Sequence, residues 1–153
     1  MRPLRQRLKR LASDRGSMAV EFVVAAPALV LLLLLVAAGG QWLNLTGKVG
    51  SATRDAVRSA SLARTFADAQ ANAQTAAQTD LAGVCIGGAP ATKVQLFTNG
   101  ALVGAGDFAV AQDIEVTVSC AANLAAFHVI GFPVSQTFGD TAAAPLDPFE
   151  DRG

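Results

Sequence analysis

The sequence has few of the side chains that enzymes use for chemistry. It contains one histidine, His128, no tyrosine, one tryptophan and two cysteines. His128 has no second histidine or acidic residue within several positions, and no base partner for Ser17 or Cys85 is evident. No Gly-rich phosphate loop, HExxH motif or paired-carboxylate pattern is present. The sequence therefore predicts a protein that is not an enzyme and that uses no cofactor, metal or small-molecule substrate.

Charge is missing from a long stretch near the N-terminus. No residue from Phe22 to Leu43 is charged. At about 1.5 Å per residue this run makes about 33 Å of helix, enough for a hydrocarbon core of about 30 Å. A cleavable secretory signal has a core of only about 7–15 residues. We predict a transmembrane helix over residues 17–43. The small residues of "VAAGG" (residues 36–40) leave open a second interpretation, secretion after cleavage near Gly39.

The charges that are present are unevenly distributed. Residues 1–16 carry six of the twelve basic side chains and one of the twelve acidic ones, so residues 17–153 have a formal charge of −5. A basic end beside an apolar run indicates a cytoplasmic N-terminus, with the remaining domain outside the cytoplasm. A leader next to a membrane helix explains these basic residues without a nucleic-acid partner. Trp42 stands where an aromatic belt would mark the outer boundary of the membrane.

The two cysteines, Cys85 and Cys120, both follow the membrane segment. No CxxC motif or histidine cluster accompanies them, and outside the cytoplasm such a pair is more often a disulfide than a metal site. We therefore expect a Cys85–Cys120 disulfide.

Beyond the membrane, the sequence predicts an α+β fold. Residues 44–83 are rich in alanine and contain no proline, and small apolar residues recur every three or four positions. They indicate an amphipathic helix that, if continuous from Ala19 to Leu81, is on the order of 90 Å long. Residues 84–153 predict a small antiparallel β domain packed on this helix, with an extended tail. Its strands are expected at 93–103, around the Asn99–Gly100 hairpin signal, at 113–120, and at 132–144 with Pro133 at the start.

One carboxylate stands at the start of the apolar run. Glu21 follows "RGSMAV" and precedes Phe22, and a glutamate inside a bilayer costs about 2.5–3.5 kcal/mol by insertion scales. "GSMAVEF" (residues 16–22) resembles the processing site of type IV-like prepilins, where a glycine precedes the cut and a glutamate follows as the fifth residue of the product. The basic leader, Phe22 and the proline within the helix, Pro27, further resemble the TadE-like pseudopilins of tight-adherence (Tad) pili. "VTVSC", "IGFPVSQTF" and the ending "PLDPFE" resemble this family more loosely.

The resemblance implies a set of roles and partners. Prepilin peptidase would cut between Gly16 and Ser17, and Glu21 would pair with the new amine of Ser17 during assembly. Pro27 would mark a helix kink. The protein would be a minor pilin subunit in the cytoplasmic membrane that contacts other pilin or pseudopilin subunits. The alternative is a single-pass surface-exposed binding or envelope protein that keeps its N-terminus as an uncleaved signal anchor.

Overall fold

The computed structural model describes the backbone of residues 3–124, 128, 131 and 133–146, and side chains from Glu21 onward within these ranges. The chain forms two compact units, Met1–Gly40 and Gln41–Gly153. Helix α1 spans Pro3–Ser61 and therefore contributes to both units. Helix α2 (Phe66–Asp80) is followed by strands β1 (Ala91–Thr98) and β2 (Ala101–Val103). A 3₁₀ helix (Ala105–Val110) and strands β3 (Asp113–Asn123) and β4 (Ser135–Pro145) complete the order. The α+β prediction is confirmed.

The helix is not continuous from Ala19 to Leu81, because the structure divides it after Ser61. The break needs neither glycine nor proline. Thr65 adopts an extended backbone (φ −127°, ψ 156°), and its hydroxyl oxygen accepts a hydrogen bond from the backbone N–H of Asp68 at 3.1 Å. This N-cap satisfies one of the unpaired amides at the start of α2 and favours a new helix at that point. Residues 44–83 are thus mostly helical but form two helices.

The four strands form one antiparallel sheet in the order β2-β1-β3-β4. The Asn99–Gly100 hairpin is confirmed between β1 and β2, with positive φ angles of 51° and 77° at its two central residues. Positive φ at both positions is the requirement of a type I′ turn, and it explains why this dipeptide stands there. Strand β3 has the predicted alternation and continues to Asn123, three residues beyond the expected end.

The fourth strand begins later than predicted, at Ser135 instead of residue 132, so Pro133 precedes it. The 3₁₀ helix was not predicted from the sequence. The tail after Leu146, expected to be extended, lies outside the described residues. So does most of the connection between β3 and β4.

The core of the Gln41–Gly153 unit lies between the helices and one face of the sheet. Alternate β3 side chains are buried on that face, and α1 and α2 contribute mainly alanines to the same cluster. Alanine lets helix and sheet backbones approach closely, whereas each fully buried valine or isoleucine of the sheet stabilises the fold by about 1.5–3 kcal/mol. The central members of this cluster are Val49, Ala52, Ala56, Ala60, Ala69, Ala73, Ala77, Leu96, Ile114, Val116, Val118 and Phe138.

The disulfide is present and ties the segment after α2 to the sheet. Cys85 bonds to Cys120 of β3, with their Cα atoms 5.3 Å apart. Nearby, the backbone N–H of Ile86 donates to the carbonyl oxygen of Ala121 at 2.7 Å. The expectation of a Cys85–Cys120 bridge is confirmed.

Candidate processing site and membrane helix

The candidate processing site lies within the first part of helix α1. The backbone is helical through Gly16, Ser17, Glu21 and Phe22, although side chains before Glu21 are outside the described part of the structure. Residues four apart on a helix lie on the same face, separated by about one turn. The backbone of Ser17 is therefore one turn before Glu21 on the same side of α1. The four-residue spacing of the motif thus places Ser17 and Glu21 one helical turn apart on one face.

Glu21 and Phe22 are both exposed. The phenyl ring of Phe22 is 77% exposed, and Glu21 is exposed at the first position for which the side chains are described. An exposed carboxylate is inexpensive in water but costly in hydrocarbon, since insertion scales assign about 2.5–3.5 kcal/mol to a charge at the bilayer centre. Where Glu21 lies relative to the membrane surface therefore determines whether it needs a partner of opposite charge.

The helix after Glu21 presents large apolar side chains around its circumference. It is long and apolar enough to cross a membrane, and little of its most apolar segment is buried within the protein. A soluble protein rarely exposes an apolar surface of this size, so lipid or neighbouring apolar helices are its natural surroundings. The exposed residues include Val23, Val24, Leu29, Val30, Leu31, Leu32, Leu33, Leu35 and Val36. A single helix of this kind fits a single-pass membrane protein.

Pro27 lies inside α1 and does not end it. Proline removes a backbone donor and usually kinks a helix, but membrane helices tolerate it when other groups satisfy the freed carbonyl. The assignment of a kink to Pro27 stays a prediction. The helix continues from Pro27 into the Gln41–Gly153 unit.

Near the end of the apolar run, Trp42 makes an aromatic contact within the Gln41–Gly153 unit. The rings of Trp42 on α1 and Phe138 on β4 have centroids 4.9 Å apart and meet edge to face at 67°. Such a pair is worth about 0.5–1.5 kcal/mol beyond its buried area. Trp42 remains 36% exposed, so its indole is accessible at the predicted membrane boundary. Sequence reasoning placed Trp42 at that boundary but gave no signal for its contact with Phe138.

Other chemistry-bearing side chains do not converge. Within the described ranges, no group of three or more histidine, cysteine, aspartate or glutamate residues is arranged to hold a metal ion. Both cysteines are consumed by the disulfide. His128 is exposed, in a connection of which only a few residues are described. Among the described residues, the features that stand out are the candidate processing motif and the apolar helix.

The family comparison supports the resemblance drawn from the N-terminal motif. Residues 16–58 match the family model described as TadE-like protein. The match begins at the glycine of the candidate cleavage site, includes Glu21, Phe22 and Pro27, and ends three residues before α1 does. The TadE-like character is therefore confirmed for this segment. No curated protein and no solved structure matches the chain.

Proposed function

We propose that this TadE-like chain is a membrane-anchored pseudopilin, or minor pilin subunit, used in assembly of a Tad-type pilus or a related secretion apparatus. Prepilin peptidase would hydrolyse the peptide bond between Gly16 and Ser17, leaving a carboxylate on Gly16 and an α-amine on Ser17. The observation that carries the proposal is the position of Glu21. It lies one helical turn after the new terminus, at the start of an exposed apolar helix.

Cleavage changes the electrostatic surroundings of Glu21. In the uncut chain, Ser17 is an interior helix residue without a charge. In the cut chain, it becomes the helix start and carries a positive amine. The first amides of the shortened helix add a partial positive charge of about half an elementary charge. Both positive groups then lie within about one turn of Glu21, which stabilises its carboxylate in an environment where an unpaired charge is expensive.

The amine that pairs with Glu21 can belong to the same subunit or to a neighbour. Pairing with a neighbour's amine would align the two membrane helices at one axial position, because each helix carries a single carboxylate between Ser17 and Leu43. The apolar surface around the rest of the helix would supply packing without specifying that position. Glu21 would thus set the register of assembly, and loss of the basic leader would release the helix from its cytoplasmic anchor.

The Gln41–Gly153 unit would face away from the cytoplasm. The basic leader favours this orientation by the positive-inside rule. The Cys85–Cys120 disulfide is consistent with it, since disulfides persist in oxidising compartments. Trp42 would lie at the outer membrane–water boundary and would keep its contact with the sheet residue Phe138. The proposed location is the cytoplasmic membrane, with incorporation into a surface pilus after processing.

The test compares Glu21→Gln with Glu115→Gln, an equivalent change at a partly exposed position of the sheet. Charge-assisted hydrogen bonds contribute about 1.5–3 kcal/mol, which corresponds to about a 10- to 100-fold change in an assembly equilibrium. We expect Glu21→Gln to lower the amount of subunit recovered in assembled complexes by this factor, with membrane retention and folding unchanged. Glu115→Gln should assemble normally. Normal assembly of Glu21→Gln would contradict the pairing role and favour a signal-anchored surface protein.

A further inference from the structure

One edge of the described sheet is long and pairs with no other described strand. Within the described part of the chain, β4 pairs only with β3, and its eleven residues form one border of the sheet. The opposite border is β2, which has three residues. Proteins usually shorten, charge or cover the edges of their sheets, because unpaired backbone groups there recruit other strands. The β2 border offers only a short stretch of unpaired backbone, whereas β4 offers a long one.

The ladder identifies which residues of β4 direct their backbone groups outward. The N–H of Leu124 donates to the carbonyl oxygen of Val134 at 2.8 Å, and the N–H of Leu146 donates to that of Gln112 at 2.8 Å. In an antiparallel ladder, hydrogen-bonded pairs alternate with non-hydrogen-bonded pairs. Every second residue of β4, counted from Val134 to Leu146, therefore bonds to β3, and the residues between them direct their backbone N–H and C=O groups away from β3. The outward-facing residues are therefore Ser135, Thr137, Gly139, Thr141, Ala143 and Pro145, of which Pro145 has no N–H to donate. All six are exposed and uncharged.

The outward-facing residue of β2 is an exposed leucine. Because the hairpin loop has two residues, Thr98 and Ala101 form its hydrogen-bonded pair, and the next pair, Phe97 and Leu102, directs its backbone groups away. The side chain of Leu102 is 61% exposed. By the strand register, Leu102 lies on the same face of the sheet as Thr141 and Ala143, opposite the helices. A large apolar side chain thus stands at one border and small side chains at the other.

Membrane attachment restricts how two copies can meet at β4. Trp42 contacts Phe138, and eight residues later a Cβ placed on Gly50 would lie 3.4 Å from the carboxylate of Asp140. From Trp42 to Gly50, helix α1 therefore advances in the same sense as β4. Antiparallel pairing of two β4 edges requires a two-fold axis perpendicular to the sheet, which reverses this direction in one copy. In such a pair, the Trp42 ends of the two α1 helices, to which the membrane segments are joined, would lie at opposite ends of the combined sheet.

Pairing of β4 with β2 of a second copy has no such conflict. The sheet order makes β2 antiparallel to β4. A copy displaced sideways without inversion therefore presents its β2 in antiparallel orientation to the β4 edge, with the Trp42 end of its α1 at the same end of the sheet. We propose that the β4 edge binds the β2 edge of a second copy of this chain, with Leu102 covering Gly139, Thr141 or Ala143. The inference rests on the proposed function for the shared membrane orientation of the copies.

This contact is heterologous, since the two copies contribute different edges. An assembly of any number of copies still has one free β4 edge and one free β2 edge, so the contact extends into a row instead of closing as a dimer. A row of this kind is compatible with assembly of membrane-anchored subunits in one orientation. Backbone hydrogen bonds between the two edges stabilise the contact, and packing of Leu102 against small side chains fixes the register of the two strands.

The experiment uses cysteine cross-linking of the full-length protein in its native membranes. The variants are Leu102→Cys, Ala143→Cys and the combination of both, treated with a short bis-maleimide that leaves the Cys85–Cys120 disulfide unreacted. We expect a ladder of cross-linked multimers from the combined variant, because each copy then carries both edges. The two single variants expressed together should give dimers only. The control combines Leu102→Cys with Glu115→Cys at the centre of the open face and should give no cross-links.

Three results would overturn the inference. Dimers from Ala143→Cys alone would show a symmetric β4–β4 contact. Adducts of Ala143→Cys with a protein of different mass would show another occupant of the edge. Absence of multimers from the combined variant would show that the two edges do not meet. The mass of the N-terminal peptide, read from the same sample, keeps the two proposals distinguishable. A mature start at Ser17 without multimers refutes the edge contact alone, and a start at Met1 removes the proposed function.

Discussion

Removing the disulfide should destabilise the Gln41–Gly153 unit by an amount set by the loop it closes. Cys85 and Cys120 are separated by 35 residues. The chain-entropy relation for a loop of this size gives about 4 kcal/mol at 25 °C. That is a large fraction of the total stability of about 5–15 kcal/mol typical of native domains. Both cysteines should be replaced by alanine, because a serine at the buried position of Cys120 would add the separate cost of burying a hydroxyl.

Urea unfolding followed by tryptophan fluorescence measures this loss directly. Trp42 is the single tryptophan, and it packs against Phe138, so its emission reports separation of α1 from the sheet. With a urea dependence of about 1.5 kcal/mol per molar, a loss of about 4 kcal/mol lowers the midpoint by about 2.5 M. The full-length protein in detergent is compared with the Cys85→Ala, Cys120→Ala double variant. A shift below about 0.5 M would refute the reasoning, since the remaining contacts of Ile86 would then hold the segment without the bridge.

Three further substitutions test the packing and the local signals. Ala56→Leu should lower the unfolding free energy by about 1–3 kcal/mol, because Ala56 is fully buried in the core cluster formed by the helices and the sheet. A neutral effect in urea would mean that the core can expand. Gly100→Ala should lower the unfolding free energy by about 1 kcal/mol, because φ is +77° at this turn. Gly106→Ala, which has open space around it, should change the urea midpoint little, and equal effects of the two changes would contradict the turn argument. Thr65→Ala should lower the unfolding free energy by about 0.5–2 kcal/mol through loss of the N-cap of α2. Unchanged stability together with unchanged helicity by circular dichroism would contradict this role of Thr65.

The parts of the fold that local patterns specify were predictable from the sequence. The Asn99–Gly100 turn needs two positive φ angles, and few other dipeptides supply them. The alternation of Ile114, Val116 and Val118 reflects a strand with one buried face, which is what the structure has. The long uncharged run defined the apolar helix by length alone.

The helix break shows where pattern reading was insufficient. Alanine-rich periodicity continues across Ser61 to Phe66, so the hydrophobic stripe alone cannot reveal that the chain turns there. A signal was nevertheless present, since a threonine at residue 65 followed three residues later by Asp68 is a typical N-cap arrangement. The capping residues carried information that the apolar spacing did not.

The contacts between distant elements could not be predicted from the sequence. Trp42 and Phe138 are far apart along the chain, and their meeting depends on how α1 lies across β4. The order of the strands is a similar case. Alternation identifies a strand but does not specify its neighbours, so the border position of β4 required the structure. The proposed processing motif is different, because it is a short local sequence at residues 16–22 and depends on no contact between distant elements.

The mature N-terminus of the membrane-extracted protein tests the central claim most directly. Intact mass and N-terminal peptide analysis distinguish a chain that starts at Ser17 from one that starts at Met1. The proposal predicts a start at Ser17 that is lost when prepilin peptidase is inactive, together with retention of the apolar helix. A start at Met1 in cells with active peptidase would contradict it, and Glu21 would then mark only the edge of a signal anchor.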